Sequence, residues 1–423
     1  MSFRFQFRRG TTAERNASNP ILAAGEPAVV LDSGQPAELV LGDGVTAMAD
    51  LRAAVWDDDA RLALAGTATQ PGDLGTAAAA DVADLATAAQ GVKADAAVPL
   101  TKAGHGALTT VDNAAMRPWL AGLANRDTAA AKIYFMGDSI TEGRGSTLRA
   151  RRFSDRVGAQ IRRTLGVTGG ARGFIGADRS TNVGAWGTEW TYAGGTPGTA
   201  SVGPARYAKS LTSGMTASIV VTGTSVDVWT CKTSGGGTIN ASVDGGATVA
   251  TIDTSGASLI DGQVTRVSLG ASGAHTLLLT HASGGSAFVG GVDIFDGDET
   301  GGVRVYNGGK DGLTSTQYVG NNFGFSGPGA LDTIMTTIAP HLIVVGLGTN
   351  DWGQGITAAT VKTNLTGLIA GCRAAIPTDP TFVLLPVYQR NITPVGGGVW
   401  ADYVAAMYEI AAADAGVTVF DLS

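Results

Sequence analysis

Three mainly apolar segments, each ending in a polar turn with glycine, constrain the fold of this chain most strongly. KIYFM (132–136) runs into Gly-Asp-Ser, VRVYN (303–307) into Gly-Gly-Lys-Asp-Gly, and LIVVG (342–346) into Leu-Gly-Thr-Asn-Asp. Such runs are typical of strands that are buried on both faces of a parallel sheet. Because open α/β sheets carry their functional groups at the carboxyl ends of the strands, we expect the three turns along one edge.

The side chains in these turns suit acyl transfer. Ser139 follows the first strand directly, where its hydroxyl can be exposed and its backbone N–H free, as a nucleophile requires. The second turn places backbone N–H groups of several glycines, including Gly312, in one loop. Asn350 in the third turn is a neutral donor that can stabilise a developing oxyanion. A Gly-Asp-Ser turn alone is a weak signal, and the two further turns make it a stronger one.

The motifs GDSIT, NGGKDG and GTND resemble the first three motifs of the SGNH (GDSL) hydrolases. This resemblance implies Ser139 as the nucleophile, with its own N–H, the N–H of Gly312 and the side chain of Asn350 as the oxyanion hole. It also implies a flavodoxin-like α/β fold without cofactor or metal. The five parallel strands would be 132–137, 303–306, 342–347, 381–386 and 417–421.

One motif of that family is missing. The family carries an Asp-x-x-His after its fifth strand, and the histidine is the general base that activates the serine. We interpret His105, His275, His281 and His341 as structural or surface residues, and Asp421 as part of the fifth strand. The reading frame is therefore expected to continue beyond residue 423, and a polypeptide ending there is expected to be nearly inactive.

Residues 184–300 have the alternating pattern of β-strands and interrupt the hydrolase between its first two strands. We predict an inserted all-β sandwich there, with the hydrolase domain formed by 131–183 plus 301–423. Asp244-Gly245-Gly246 is a hairpin signal within it. Many carbohydrate-binding modules are such sandwiches, and the aromatic side chains are either stacking platforms or core: Trp186, Trp190, Tyr192 and Trp229.

The first 130 residues differ in composition from the rest. Residues 1–60 form a predicted β-rich domain whose RRGT, GEP and GDG elements resemble the N-terminal unit of tailed-phage fibre proteins. Residues 61–130 contain an alanine-rich segment, 70–98, with small residues at heptad spacing. Such a stripe is buried only by self-association, so we predict a trimeric helical stalk; a flexible linker is the alternative.

Charge and hydropathy exclude several classes of protein. The net charge of −7 argues against a nucleic-acid binder. The sequence contains no run of about 18 apolar residues, the length that a membrane-spanning helix needs. Cys231 and Cys372 lie far apart, which suggests neither a disulfide nor a zinc site.

The leading hypothesis is a multidomain tail-fibre or tail-tip protein of a phage virion. It would contact other tail proteins through residues 1–60, trimerise, and hydrolyse an ester of the host envelope, most simply an O-acetyl group of a surface glycan. Two alternatives remain open. One is a receptor-binding adhesin that uses the hydrolase fold only to bind glycan, and the other is a secreted esterase, which the lack of a signal peptide disfavours.

Overall fold

The computed structural model describes residues 8–10, 27–30, 38–41, 114–146, 148–167, 173–177, 189–320, 331–387 and 395–421. The chain divides into two compact units, Met1–Thr101 and Lys102–Ser423. In the first unit, strands β1 (Arg8–Gly10), β2 (Pro27–Val30) and β3 (Glu38–Leu41) form a small sheet. Strand β2 pairs with β1 in parallel and with β3 antiparallel. The segment 70–98, for which a trimeric stalk is predicted, lies outside the described residues.

The second unit contains a parallel sheet of five strands: β4 (Ala131–Gly137), β14 (Val303–Asn307), β15 (Leu342–Gly346), β16 (Thr381–Leu384) and β17 (Val417–Val419). Their order in the sheet is β14-β4-β15-β16-β17. All five predicted strands are present, and the predicted parallel sheet is confirmed.

The prediction that Asp421 belongs to the fifth strand is wrong. Strand β17 ends at Val419, which pairs with Leu384, the last residue of its neighbour β16. The last bond of the pair is donated by Phe420 N–H to the carbonyl of Leu384, at 2.9 Å. Asp421 therefore follows the strand at the carboxyl edge of the sheet.

Helices cover both faces of the sheet. In β15, Ile343 and Val345 point to one face and Val344 to the other, the alternation that every strand imposes. The described helices of eight or more residues are α1 (Arg117–Ala124), α3 (Phe153–Thr164), α5 (Leu331–Ile338), α7 (Ala358–Ala375) and α8 (Trp400–Ala413). Three short helices are α2 (Ser139–Glu142), α4 (Ser315–Val319) and α6 (Thr349–Gln354). Among the described residues, no helix is long and apolar enough to cross a membrane.

The region between β4 and β14 forms a second sheet, of nine strands. Its strands are β5 (Gly173–Gly176), β6 (Trp190–Ala193), β7 (Gly198–Ala200), β8 (Ala208–Leu211), β9 (Thr216–Lys232), β10 (Gly237–Val243), β11 (Thr248–Asp253), β12 (Ile260–Gly284) and β13 (Ala287–Phe295). Asp244 and Gly245 link β10 to β11 with φ of 53° and 72°, as the hairpin signal predicts.

The longest strand of this sheet, β12, contains a glycine-rich stretch. The alternating segments 265–269 and 274–282, on either side of that stretch, are parts of this single strand. It pairs with β9 along its length, and the register shifts between Ser268 and Gly273. Residues before and after this irregularity share one hydrophobic core, for example Val267 and Leu277. The nine strands are hydrogen-bonded into one sheet with a common hydrophobic core, and the inserted sandwich stays a prediction.

Aromatic and charged side chains join the two sheets. Phe174 of β5 and Trp229 of β9 pack against Tyr306 of β14, with ring centroids 6.0 and 6.1 Å from that ring. Arg304 of β14 donates to the carbonyl of Ile294 at 2.8 Å. Strand β5 pairs with β13 of the nine-stranded sheet, although it lies within the range 131–183 that was predicted for the hydrolase.

Candidate active site

The first of the three turns leads from β4 into α2. The Asp138 side chain caps this helix by accepting a hydrogen bond from the Ile140 N–H at 2.9 Å. Ser139 is therefore the first helical residue, and its side chain is 8% exposed. Within the described residues, neither its hydroxyl nor its backbone N–H has a hydrogen-bond partner. Both groups can therefore bind a substrate.

The second turn, after β14, is held against the first by hydrogen bonds. Asn307 Nδ2 donates to the carbonyl of Thr141 at 2.6 Å, and Asn307 Oδ1 accepts from the Gly309 N–H at 2.9 Å. The Asp311 N–H donates to Glu142 Oε2, also at 2.6 Å. These bonds fix the loop that carries Gly312 beside the helix that carries Ser139.

Two glycines of this loop have different steric surroundings. A Cβ atom on Gly309 would lie 2.3 Å from the Glu142 nitrogen and 2.6 Å from the carbonyl carbon of Thr141, so only glycine permits this close approach. A Cβ atom on Gly312 would touch nothing within 4 Å, but the φ of Gly312 is +79°. The Gly312 N–H has no partner in the described part of the chain, as an oxyanion donor requires.

This difference leads to a prediction about the two glycines. We expect Gly309→Ala to lower the free energy of unfolding by about 1–3 kcal/mol and to reduce esterase activity, because the loop must move away from α2. Gly312→Ala is the matched control for adding a methyl group, and its cost is about 1 kcal/mol of backbone strain. Thermal unfolding and initial rates on an acetyl ester measure both effects. Equal unfolding temperatures for the wild type and Gly309→Ala would contradict the packing described here.

The third turn follows β15 and is tied to the second. Asn350, which is half-buried, lies in α6 and donates from Nδ2 to the carbonyl of Leu313 at 2.9 Å. Its amide has a second N–H for a ligand. The neighbouring Asp351 is buried and accepts hydrogen bonds from the Ser315 N–H and hydroxyl, the latter at 2.6 Å. Burial raises the pKa of Asp351 despite these bonds, and we interpret this carboxyl as a structural link.

Ser139, Gly312 and Asn350 thus come from three turns that the structure connects at one edge of the parallel sheet. Sequence reasoning missed the side chains that connect them. Tyr318, which is fully buried, accepts from the Gly137 N–H at 3.0 Å and donates to the Gly308 carbonyl at 2.8 Å. Burial raises the pKa of Tyr318, so its phenol stays protonated. No sequence signal singles out this tyrosine.

Lys310 connects the second turn to the nine-stranded sheet region. Its Nζ donates to the Ser201 hydroxyl at 2.6 Å and lies 4.6 Å from the ring centroid of Tyr207. Burial, together with the nearby charge of Arg206, lowers the pKa of Lys310 to about 8. Residues from the nine-stranded sheet region therefore contact the loop that carries Gly312.

The described histidines lie away from the Ser139 turn. His275 Nδ1 lies 2.7 Å from Asp244 Oδ2, and His281 Nε2 lies 2.7 Å from the carbonyl of Gly285. His341 precedes β15 and accepts from the Lys132 N–H at 3.2 Å, at the amino edge of the sheet. His105 lies outside the described residues. None of the three described histidines is placed to activate Ser139.

Two family models match this chain. Residues 294–423 match the GDSL-like lipase/acylhydrolase family, and residues 5–46 match the major tropism determinant N-terminal domain. The chain therefore carries a GDSL-like lipase/acylhydrolase domain. Its N-terminal segment is a major tropism determinant N-terminal domain. The residues that match the hydrolase family include Gly312 and Asn350, whereas Ser139 precedes the matched range in sequence. Ser139 follows β4, and β4 pairs with β14 and β15 of the matched range.

Comparison with solved structures supports the fold. A structure titled peptidoglycan O-acetylesterase in action is 18% identical, with 75% of this chain and 86% of that chain covered and a TM-score of 0.52. The family 2 carbohydrate esterase of Corynascus thermopiles (Myceliophthora fergusii) is 17% identical, over 53% of this chain and 89% of its own, with a TM-score of 0.24. The first of these shows a common SGNH-like fold; the TM-score of the second is too low to carry an argument. No curated protein matches the chain.

Proposed function

We propose that this chain is a phage tail protein that binds the host surface and hydrolyses ester bonds of the cell envelope. The observation that carries the hydrolytic part is the hydrogen-bonded group of three turns at one sheet edge. Ser139, Gly312 and Asn350 lie in these three turns, which supports a joint role for the Ser139 hydroxyl, the Gly312 N–H and the Asn350 amide. The tropism-determinant domain at residues 5–46 supports the location in a virion tail.

The chemistry follows from these groups. Ser139 Oγ attacks the ester carbonyl carbon, and the resulting oxyanion accepts hydrogen bonds from the N–H groups of Ser139 and Gly312 and from Asn350 Nδ2. The intermediate expels the alcohol, which takes up a proton. Water then cleaves the acyl-enzyme and releases the carboxylic acid. The base that takes the Ser139 proton is none of the three described histidines.

An O-acetyl group of an envelope glycan is the substrate that we favour, and a lipid or mycolate ester is the alternative. The fold similarity to a peptidoglycan O-acetylesterase supports the first choice. We further propose that residues 1–60 contact other tail proteins and that residues 70–98 hold the chain as a trimer. The heptad spacing of small residues in that segment supports the trimer.

A second candidate function is a non-catalytic adhesin. The positions of His275, His281 and His341 favour it, because all three have partners away from Ser139. In that case the same sheet edge would bind a glycan without cleaving it.

Acetate release distinguishes these two functions. A catalytically complete form of the protein is incubated with O-acetylated peptidoglycan, and free acetate is measured over time. We expect acetate from this glycan, none from the same glycan after chemical de-O-acetylation, and none with Ser139→Ala. Binding of the glycan by the wild type without release of acetate would establish the adhesin and refute the esterase.

A further inference from the structure

A cavity of about 540 Å³ lies at the amino edge of the parallel sheet, opposite to the Ser139 turn. Its lining includes Lys132, near the start of β4, and His341, the residue before β15. Strands of the nine-stranded sheet form the rest of the lining described here. Lys132 and Gly137 are separated by five residues of β4, which corresponds to roughly 17 Å along the strand. This cavity is therefore separate from the candidate active site. Its size is typical of small-ligand sites, which span about 300–1,000 Å³.

The charged side chains that line the cavity balance one another. They are Lys132, Arg266, Arg304, Asp227, Asp293 and Glu299. The Arg266 guanidinium is bonded to the Asp227 carboxylate, with one contact of 3.0 Å. Arg304 is also paired with Asp298, whose Oδ2 lies 3.2 Å from Arg304 Nη2, so the basic side chains are already matched by carboxylates and do not form an anion site. This composition favours a neutral polar ligand.

Several polar atoms in the wall of the cavity lack a hydrogen-bond partner. Trp229 Nε1, Asp293 Oδ1 and Arg304 Nε are buried and have none within the described residues, and Asp293 Oδ1 lies 4.0 Å from Arg304 Nη1 as an ion pair. Each such atom costs about 1–3 kcal/mol while it stays unsatisfied, so a small shift of the wall that lets a polar ligand reach it is favourable. The three side chains are between 1% and 3% exposed and belong to the buried part of the wall.

The imidazole of His341 adds a defined donor. Because its Nδ1 accepts from the Lys132 N–H, its Nε2 carries the proton. Burial lowers the pKa of His341, which keeps the ring neutral at neutral pH. The Nζ of Lys132 donates to the carbonyl of Ile338 at 2.7 Å and retains two further N–H groups. Donors and acceptors therefore both occur in the lining of this space.

We infer that this cavity binds a neutral sugar unit of a glycan. Sugar hydroxyls both donate and accept, and so they match a wall of mixed donors and acceptors without net charge. Hydrogen bonds rather than ring stacking would hold the sugar. Trp229 is only 3% exposed, and the guanidinium groups of Arg266 and Arg304 each lie 4.0 Å from the ring centroid of Phe295. This site goes beyond the proposed esterase function, because it needs neither Ser139 nor an ester.

Calorimetric titration of the full chain tests the inference. The probes are the neutral disaccharides cellobiose and N,N′-diacetylchitobiose and the anionic digalacturonate. Ala129→Trp places a large ring at the exposed margin of the cavity. Asp127→Trp is the matched control in the same loop, because the Asp127 side chain is 82% exposed and does not line the cavity. Thr378→Trp fills the cavity from another exposed lining position, should Ala129→Trp fail to fold.

We expect a neutral disaccharide to bind the wild type, Ser139→Ala and Asp127→Trp alike. Either cavity-filling variant should weaken binding at least about tenfold, a change of about 1.4 kcal/mol. Binding of neither neutral disaccharide, binding of digalacturonate alone, or unchanged affinity in both cavity-filling variants would each overturn the inference. Acetate release is not used here, so failure of this inference is distinguishable from failure of the esterase proposal.

Discussion

In a catalytically complete form of this protein, replacing Ser139 with alanine is expected to reduce the hydrolysis of an activated acetyl ester by on the order of 10⁴-fold or more. The loss is large because alanine provides no nucleophile, and the remaining groups cannot act without one. The unfolding temperature should change little, since the Ser139 hydroxyl has no hydrogen-bond partner in the described part of the protein. Initial rates on p-nitrophenyl acetate and thermal unfolding measure the two properties separately.

The control for this variant is Ser146→Ala, a change of the same kind seven residues further along the chain. Ser146 lies in the turn after α2, where its backbone N–H donates to the carbonyl of Gly143 at 3.0 Å, and that bond survives the substitution. Its activity should equal that of the wild type. Activity retained by Ser139→Ala, or lost equally in both variants, would refute the assignment of the nucleophile.

In the same catalytically complete form, Asn350→Ala is expected to lower kcat by about 10²–10³-fold with little change in KM. The amide would donate to an oxyanion that exists only after attack, so its loss affects the transition state more than substrate binding. Asn350→Asp retains the size of the side chain but replaces the donor with a carboxylate, so we expect it to be no more active than the alanine variant. Steady-state kinetics on the same acetyl ester provide both constants.

Asn350 also donates to the carbonyl of Leu313, and so part of any loss could be structural. Asn364→Ala is the control for this structural part. Like Asn350, Asn364 bonds to the segment after β14, where its Nδ2 donates to the Ser315 hydroxyl at 2.9 Å. We expect a small loss of stability and a nearly unchanged kcat for Asn364→Ala. A rise in KM at constant kcat in Asn350→Ala would contradict the role of this amide as an oxyanion donor.

The parallel sheet could be predicted from sequence because its strands are continuous apolar runs, a pattern that few other structures produce. The strand β12 could not be predicted in full. Its segment Gly270-Ala271-Ser272-Gly273 has the composition of a turn, yet it lies within one strand that stays paired with β9 on both sides of the irregularity. Composition does not distinguish a bend within a paired strand from a turn between two strands.

The candidate site was predictable only where a motif carried it. Ser139, Gly312 and Asn350 lie in short motifs, whereas the side chains that hold these motifs together come from distant parts of the chain. The Tyr318 hydroxyl, for example, bonds to Gly137 across 181 residues of sequence. Such a contact arises only when β4 and β14 pair and bring their following loops together. The cavity at the amino edge was unpredictable for the same reason, since it forms between two sheets.

Labelling with a fluorophosphonate probe tests the central claim most directly, because this reagent reacts with activated serine hydroxyls. A catalytically complete form of the protein is treated with the probe and digested, and the modified residue is located by mass spectrometry. We expect a single phosphonylated residue, Ser139, and no label in Ser139→Ala. A label on another serine, or equal labelling of the wild type and Ser139→Ala, would contradict the assignment of Ser139 as the nucleophile.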